Sequence, residues 1–136
     1  LVADRLEDGH LVATDRSAKM IAAARERNRH QSEAGRLTLV IAEAADLPAL
    51  GPFDLGFAVD VNVFGGSCEP ELHCLRRQLR EGGVFHFVHR PPVDTKVERF
   101  AENLRVWLPQ CGFVVEEQLV ERVDGSRILG VRALAV

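Results

Sequence analysis

The sequence has few of the features that mark specialised classes of protein. Its three cysteines, Cys68, Cys74 and Cys111, are an odd number and form no CxxC pair, which excludes a disulfide framework and points to reduced thiols. No stretch approaches the ~20 unbroken apolar residues of a membrane-spanning helix. The opening LVADRLEDGH has no basic region ahead of an apolar run, so it does not read as a secretory leader. A cytoplasmic location with no membrane partner is the resulting expectation. The net charge of −3 gives no general attraction for phosphate backbones. Arg25, Arg27, Arg29 and Arg36 make one locally basic stretch, but no aromatic residues are interleaved with it. It therefore reads as a solvated helix face, against a nucleic-acid partner. No GxSxG motif or nucleophile cysteine signature supports covalent catalysis. SCEPELHC brings Cys68, His73 and Cys74 close in sequence, but structural zinc takes four ligands and no second pair follows. No metal is expected.

What is present fits one globular domain of 136 residues, 46% hydrophobic and 27% charged. Residue 1 is leucine and the single methionine is Met20, so the amino terminus reads as a cut or processed end. Leu1, Val2 and Leu6 stand at near-helical spacing, which predicts the last turns of a helix over residues 1–7. HLVAT then reads as a buried strand, and Ser17 as the cap of a helix carrying Met20, Ile21 and Ala24 and ending near Arg29. RLTLVI (36–41) and FDLGFAV (53–59) are strand-like runs, separated by the Pro48 and Gly51-Pro52 breakers. Pro70 opens a helix striped by Leu72, Leu75 and Leu79 and expected to stop at Gly82-Gly83. VFHFVH (84–89) returns as a strand.

Asp94 is expected to cap a further helix, with Val97, Phe100, Leu104, Trp107 and Leu108 on one face and Pro109 and Gly112 at its end. FVVEEQLVE and RILGVRALAV flank an Asp124-Gly125 turn, the signature of an antiparallel hairpin. Alternating strands and helices predict an α/β fold: a mostly parallel sheet with helices on both faces, closed by that hairpin. Ligands of such folds sit at the strand carboxyl ends. Those ends carry Asp15, AEAADLP (42–48), VDVNVFGG (59–66) and VHRPP (88–92). The recurring acids suit ribose hydroxyls and amine donors, because an ionised carboxylate is an acceptor with two oxygens.

In their order and spacing these pieces resemble the class I S-adenosylmethionine-dependent methyltransferases, which are Rossmann-like, over essentially the whole chain. GHLVATDRSAKMIAAARER is similar to that family's second strand, terminal acid and following helix. VIAEAADLP is similar to its third strand, FDLGFAVDV to its fourth, and LRRQLREGGVFHFVH to its fifth helix and strand. The resemblance implies S-adenosylmethionine as cofactor and a small molecule as methyl acceptor. It implies that Asp15 binds the ribose hydroxyls with Arg16 beside the adenine, and that Glu43 and the Ala44 backbone meet the adenine edge. Asp46 is a second adenine candidate. Val59 and Asp60 fall at the cofactor's amino-acid end, and Asp60 also suits a substrate amine. His89 is the candidate for acceptor contact or general base.

Structural alternatives remain beside these roles: a helix cap for Asp15, a turn residue for Asp46, a solvated loop acid for Asp60 and an exposed strand-end histidine for His89. His86 shares no strand face with His89, which argues against a two-histidine metal site. In nucleotide-binding α/β folds a glycine-rich turn lies about 20 residues before the ribose-binding acid, and only 14 residues precede Asp15. The resemblance thus implies a missing first strand and two unpaired strand edges. Two other functions stay open at this point. One is a nicotinamide-dependent oxidoreductase, since a strand-end acid also suits an NAD ribose. The other is a non-catalytic, degenerate domain of the same fold.

Overall fold

The periodicities of the sequence are realised in the computed structural model, which describes every residue except Leu1 and Glu7, with Thr95 described through its backbone only. The chain divides into two units, Leu1–Leu50 and Gly51–Val136, each described by itself.

In the first unit, β1 (Leu11–Asp15) pairs in parallel with β2 (Leu37–Ile41), Leu11 standing opposite Leu37 and Asp15 opposite Ile41. His10 ties the strand starts together: Nδ1 donates to the Gly35 carbonyl at 2.9 Å, which leaves Nε2 to accept from the Thr38 hydroxyl at 2.8 Å. The crossover is α1 (Ala18–Arg27) followed by the short α2 (Arg29–Glu33). Ser17 caps α1, its Oγ accepting the Met20 N–H at 3.3 Å. The single helix expected to end near Arg29 is instead broken at Asn28, whose side-chain amide donates to the Ala24 carbonyl at 2.8 Å and closes the first segment. Upstream, the expected helical turns are a 3-10 turn at Val2–Arg5; Leu1 and Glu7, the ends of that expectation, lie outside the described residues.

The second unit holds β3 (Phe53–Val59), β4 (Leu79–His89), β5 (Phe113–Val123) and β6 (Ser126–Ala135) in the order β3-β4-β6-β5. β3 and β4 are parallel, and β6 is antiparallel to both β4 and β5. The hairpin turns at Asp124 and Gly125, with φ of 48° and 79°, the paired left-handed conformations that match strand twist. α3 (Glu69–Gln78) and α4 (Val97–Gln110) pack on the sheet face carrying Phe85, Phe87, Leu129, Val131 and Ala133. There Phe64 meets Phe87 edge-on at 5.1 Å and Phe85 lies 5.9 Å from Phe113, offset geometries that suit aromatic quadrupoles. Leu55, Phe57, Val59 and Val88 point the other way along the same strands and are exposed.

Three local expectations are corrected here. α3 stops at Gln78, before the glycines, because Leu79 turns extended and buries its side chain against Gly56. Gly82 and Gly83 serve the irregular start of β4 instead: Gly82 has φ 71°, and a Cβ on Gly83 would stand 2.8 Å from the Arg80 carbonyl oxygen. Asp94 does not cap α4. Its carboxylate accepts the Arg127 N–H at 3.1 Å and pairs with Arg122 at 3.2 Å, so it tethers the hairpin. Trp107 is only partly buried, while Val97, Phe100, Leu104 and Leu108 form the buried stripe of α4.

Among the described residues β1 pairs only with β2, and β3 only with β4. Each therefore keeps one open edge, as expected. No described helix is long and apolar enough to cross a membrane.

Candidate active site

The strand carboxyl ends form one cluster in each unit. In the first unit Asp15 ends β1. Its Oδ1 accepts the Ser17 N–H at 2.7 Å, a turn bond just ahead of α1. The cap itself is Ser17, so the helix-cap alternative for Asp15 gives way to a turn role that can sit alongside any other. Its second oxygen has no protein partner among the described residues, and the side chain is half-buried. The Asp15 carbonyl accepts the Ala42 N–H at 3.1 Å, which brings the exits of β1 and β2 side by side. Glu43, Ala44 and Asp46 follow in an exposed turn closed by the Asp46 N–H on the Glu43 carbonyl at 3.0 Å. That turn presents Glu43 and Ala44 next to the end of the strand pair, while Arg16 is exposed beyond Asp15.

In the second unit, Val59 lies opposite Val88 at the end of the parallel pair, and Asp60 and His89 follow. Asp60 has φ 54°, the left-handed region that is costly for a side chain with a Cβ but tolerated best by Asn and Asp. The conformation folds the residue back over β4: its N–H donates to the Val88 carbonyl at 2.9 Å, and its Oδ1 accepts the Arg90 N–H at 2.7 Å. The acid thus laces the two strand exits together and still leaves its other oxygen to solvent.

His89 is not the exposed strand-end histidine of the alternative reading. Its side chain is 2% exposed, stacked on Phe87 at 5.6 Å and against Phe100 at 4.1 Å. Nδ1 stands 3.4 Å from Asp60 Oδ1, yet alignment is poor and neither ring nitrogen makes a hydrogen bond. Burial pushes its pKa below the ordinary histidine value, and the nearby Asp60 carboxylate only partly opposes this. A neutral imidazole behind a carboxylate is the result. His86 faces the opposite side of β4, paired with Phe57 and Arg132, as strand alternation requires.

The three cysteines are buried thiols, none of them in a disulfide among the described residues. Burial pushes Cys68 up to about 11, so it stays a protonated thiol rather than a nucleophile. Two contributors to the second cluster carry no signal in one sequence. The Arg90 main-chain N–H has no side-chain signature, and Phe100 reads simply as part of an apolar helix stripe.

Residues 1–83 match the family described as "Methyltransferase domain". No curated protein matches the sequence at a significant level. Among solved structures, the chain is similar to the N-methyltransferase NodS from Bradyrhizobium japonicum WM9 in complex with S-adenosyl-L-homocysteine. The identity is 16%, the TM-score 0.74, and the match covers 93% of this chain and 66% of that one. It is also similar to the 16S rRNA (adenine(1408)-N(1))-methyltransferase W203A mutant from Catenulisporales acidiphilia, at 18% identity and TM-score 0.74, covering 99% of this chain and 78% of that one. A third similar structure is the [4+2]-cyclase SpnF, at 14% identity and TM-score 0.74, covering 98% of this chain and 69% of that one. At such identities the likeness establishes the Rossmann-like methyltransferase fold, and the cyclase shows that the fold alone does not fix the reaction.

Proposed function

The chain belongs to the methyltransferase-domain family, and on that premise we propose that it serves S-adenosylmethionine-dependent methyl transfer to a small-molecule acceptor. The observation that carries the proposal is Asp15. It is a half-buried carboxylate at a strand carboxyl end, with one oxygen held by Ser17 and the other unpartnered among the described residues. That donor set fits a ribose diol, which needs an oriented acceptor. Arg16 would lie beside the adenine, Glu43 would accept from its exocyclic amine, and the Ala44 N–H would meet a ring nitrogen. Asp46 closes the turn that carries them.

In the second unit, Val59 and Asp60 would receive the amino-acid end of the cofactor. When bound, the cofactor supplies a sulfonium methyl group. Transfer of that group needs alignment and exclusion of water more than strong acid–base chemistry, which agrees with the absence of a nucleophile motif. The free oxygen of Asp60 would take a hydrogen bond from the acceptor's attacking group, and the neutral, buried His89 would give that carboxylate an apolar wall at its back.

Calorimetric titration with S-adenosylhomocysteine tests the reading. Binding in the micromolar range is expected, weakened about tenfold or more by Asp15→Ala, the equivalent of at least ~1.4 kcal/mol. Saturable NADH binding without competition by S-adenosylhomocysteine would instead identify the oxidoreductase. Absence of heat up to millimolar ligand would count against cofactor binding by this chain. The rRNA methyltransferase among the similar structures favours one second reading, a nucleic-acid acceptor. Transfer of labelled methyl groups to RNA, but not to small amines or hydroxyl compounds, would establish it.

A further inference from the structure

The segment between Asp60 and α3 is a 3-10 turn, Asn62–Gly65, closed by the Gly66 N–H on the Val63 carbonyl at 3.2 Å. It follows the candidate acceptor-side acid directly, yet three contacts fix it from below. Phe64 is buried between Phe85 and Phe87, at ring separations of 6.0 and 5.1 Å. Gly65 abuts the tip of the Phe100 ring, so closely that a Cβ there would stand 2.6 Å from Cζ. Asn103, one helical turn beyond Phe100 on α4, donates its side-chain amide to the Phe64 carbonyl at 2.8 Å and to the Gly66 carbonyl. The same nitrogen lies 3.6 Å from Cys68 Sγ. Both amide hydrogens are therefore committed to backbone carbonyls of a turn that has few internal bonds of its own.

Phe100 is the shared part. One side of its ring takes Gly65 and another meets the imidazole of His89 at 4.1 Å. Phe100 is also stacked on Phe87 at 6.4 Å, so an outward shift of the turn would remove one of its supports and loosen the wall that keeps His89 buried. We propose that Asn103 is a positioning residue of the Asp60–His89 cluster, acting through the 62–66 turn and Phe100 rather than by touching substrate. The function assigned to it rests on the acceptor-side reading of that cluster, whereas the mechanical coupling does not.

The coupling can be read without any ligand, by following the His89 ring signals in NMR as pH is varied. Among the described residues Asp60 is the charged group found against the ring, and the contact from α4 is the Phe100 ring. Asn103→Ala is expected to move the His89 midpoint upward, toward the ordinary value, by about half a unit or more, because water reaches the ring. Gly65→Ala, which must push Phe100 aside, is expected to move it in the same direction. Asn103→Gln, which keeps the amide, is expected to restore part of the difference. A midpoint in Asn103→Ala within about 0.2 units of the unmodified chain would overturn the coupling and leave Asn103 a stability residue only.

The unmodified chain gives a second measurement that no folding failure can remove. The Asn103 side-chain amide signals are expected to shift with the same midpoint as His89, and signals indifferent to that titration would refute the link. S-adenosylhomocysteine titration of the same samples separates the two ideas. A coupled ring with no ligand binding retains the mechanics and rejects the acceptor-side role.

Discussion

The two units of the chain bury their apolar residues to very different extents. Among the described residues three apolar side chains of Leu1–Leu50, Ala3, Ile21 and Leu37, are buried, against eighteen in Gly51–Val136. Yet the first unit carries Asp15, Arg16, Glu43, Ala44 and Asp46, most of the proposed cofactor contacts. A two-stranded sheet with so small a core is marginal on its own, whereas four strands under two helices reach a core sufficient for independent stability. The lesson is that proposed binding chemistry and stability occupy different parts of this chain. Carboxylates gathered at strand ends need only backbone geometry to be placed, while stability scales with apolar area removed from water.

The sharpest test of that contrast is Phe85→Ala. Phe85 is fully buried among Phe64 and Phe113, and its truncation is expected to cost about 3–5 kcal/mol in urea or thermal unfolding. A loss below ~1 kcal/mol would show that the second unit is not where stability resides. Leu37→Ala, in the sparse core of the first unit, is expected to cost about 2 kcal/mol, at the low end for buried leucine. Hydrogen exchange should show the change confined to residues 1–50, and a spread through β3–β6 would dissolve the distinction between units.

Ser17→Ala removes the α1 cap and is expected to cost about 0.5–1 kcal/mol, seen as faster exchange of the Met20 amide with little change in the global midpoint. The smallest effect concerns His89. Because its folded pKa lies below the ordinary value, the unfolded chain binds the extra proton first as pH falls. Stability is then complete above about pH 6.5 and declines from there toward the folded pKa. His89→Gln should flatten the thermal midpoint as pH falls below about 6.5, and an unchanged slope would mean that another group sets it.

Much of this was legible from residues alone. The strand-like apolar run FDLGFAV, the Asp124-Gly125 turn between two apolar runs, and the stripe Val97, Phe100, Leu104, Leu108 each specify their element through side-chain composition, period or turn chemistry. These signals are local, so one sequence suffices to read them. The misreadings share a cause. Leu79 continues a helical stripe on paper but is claimed by the strand core beneath Gly56, and Asp94 sits where a cap belongs but is claimed by Arg122 and Arg127 of the hairpin. In both, a partner more than twenty residues away outcompetes the local preference.

The candidate site divides in the same way. The sequence by itself determined which acids stand at strand carboxyl ends, because strand ends and the acids after them are contiguous in the chain. Only the tertiary structure decided that Asp60 bends back through a left-handed residue to hold the Arg90 N–H. It alone decided that His89 is buried between Phe87 and Phe100, and that Asn103 holds the turn above it. The hydrogen bonds among them join residues 30 and 39 positions apart, and all of these relations exist only once the sheet and α4 have packed, since burial and hydrogen-bond geometry belong to the folded arrangement and not to the order of residues.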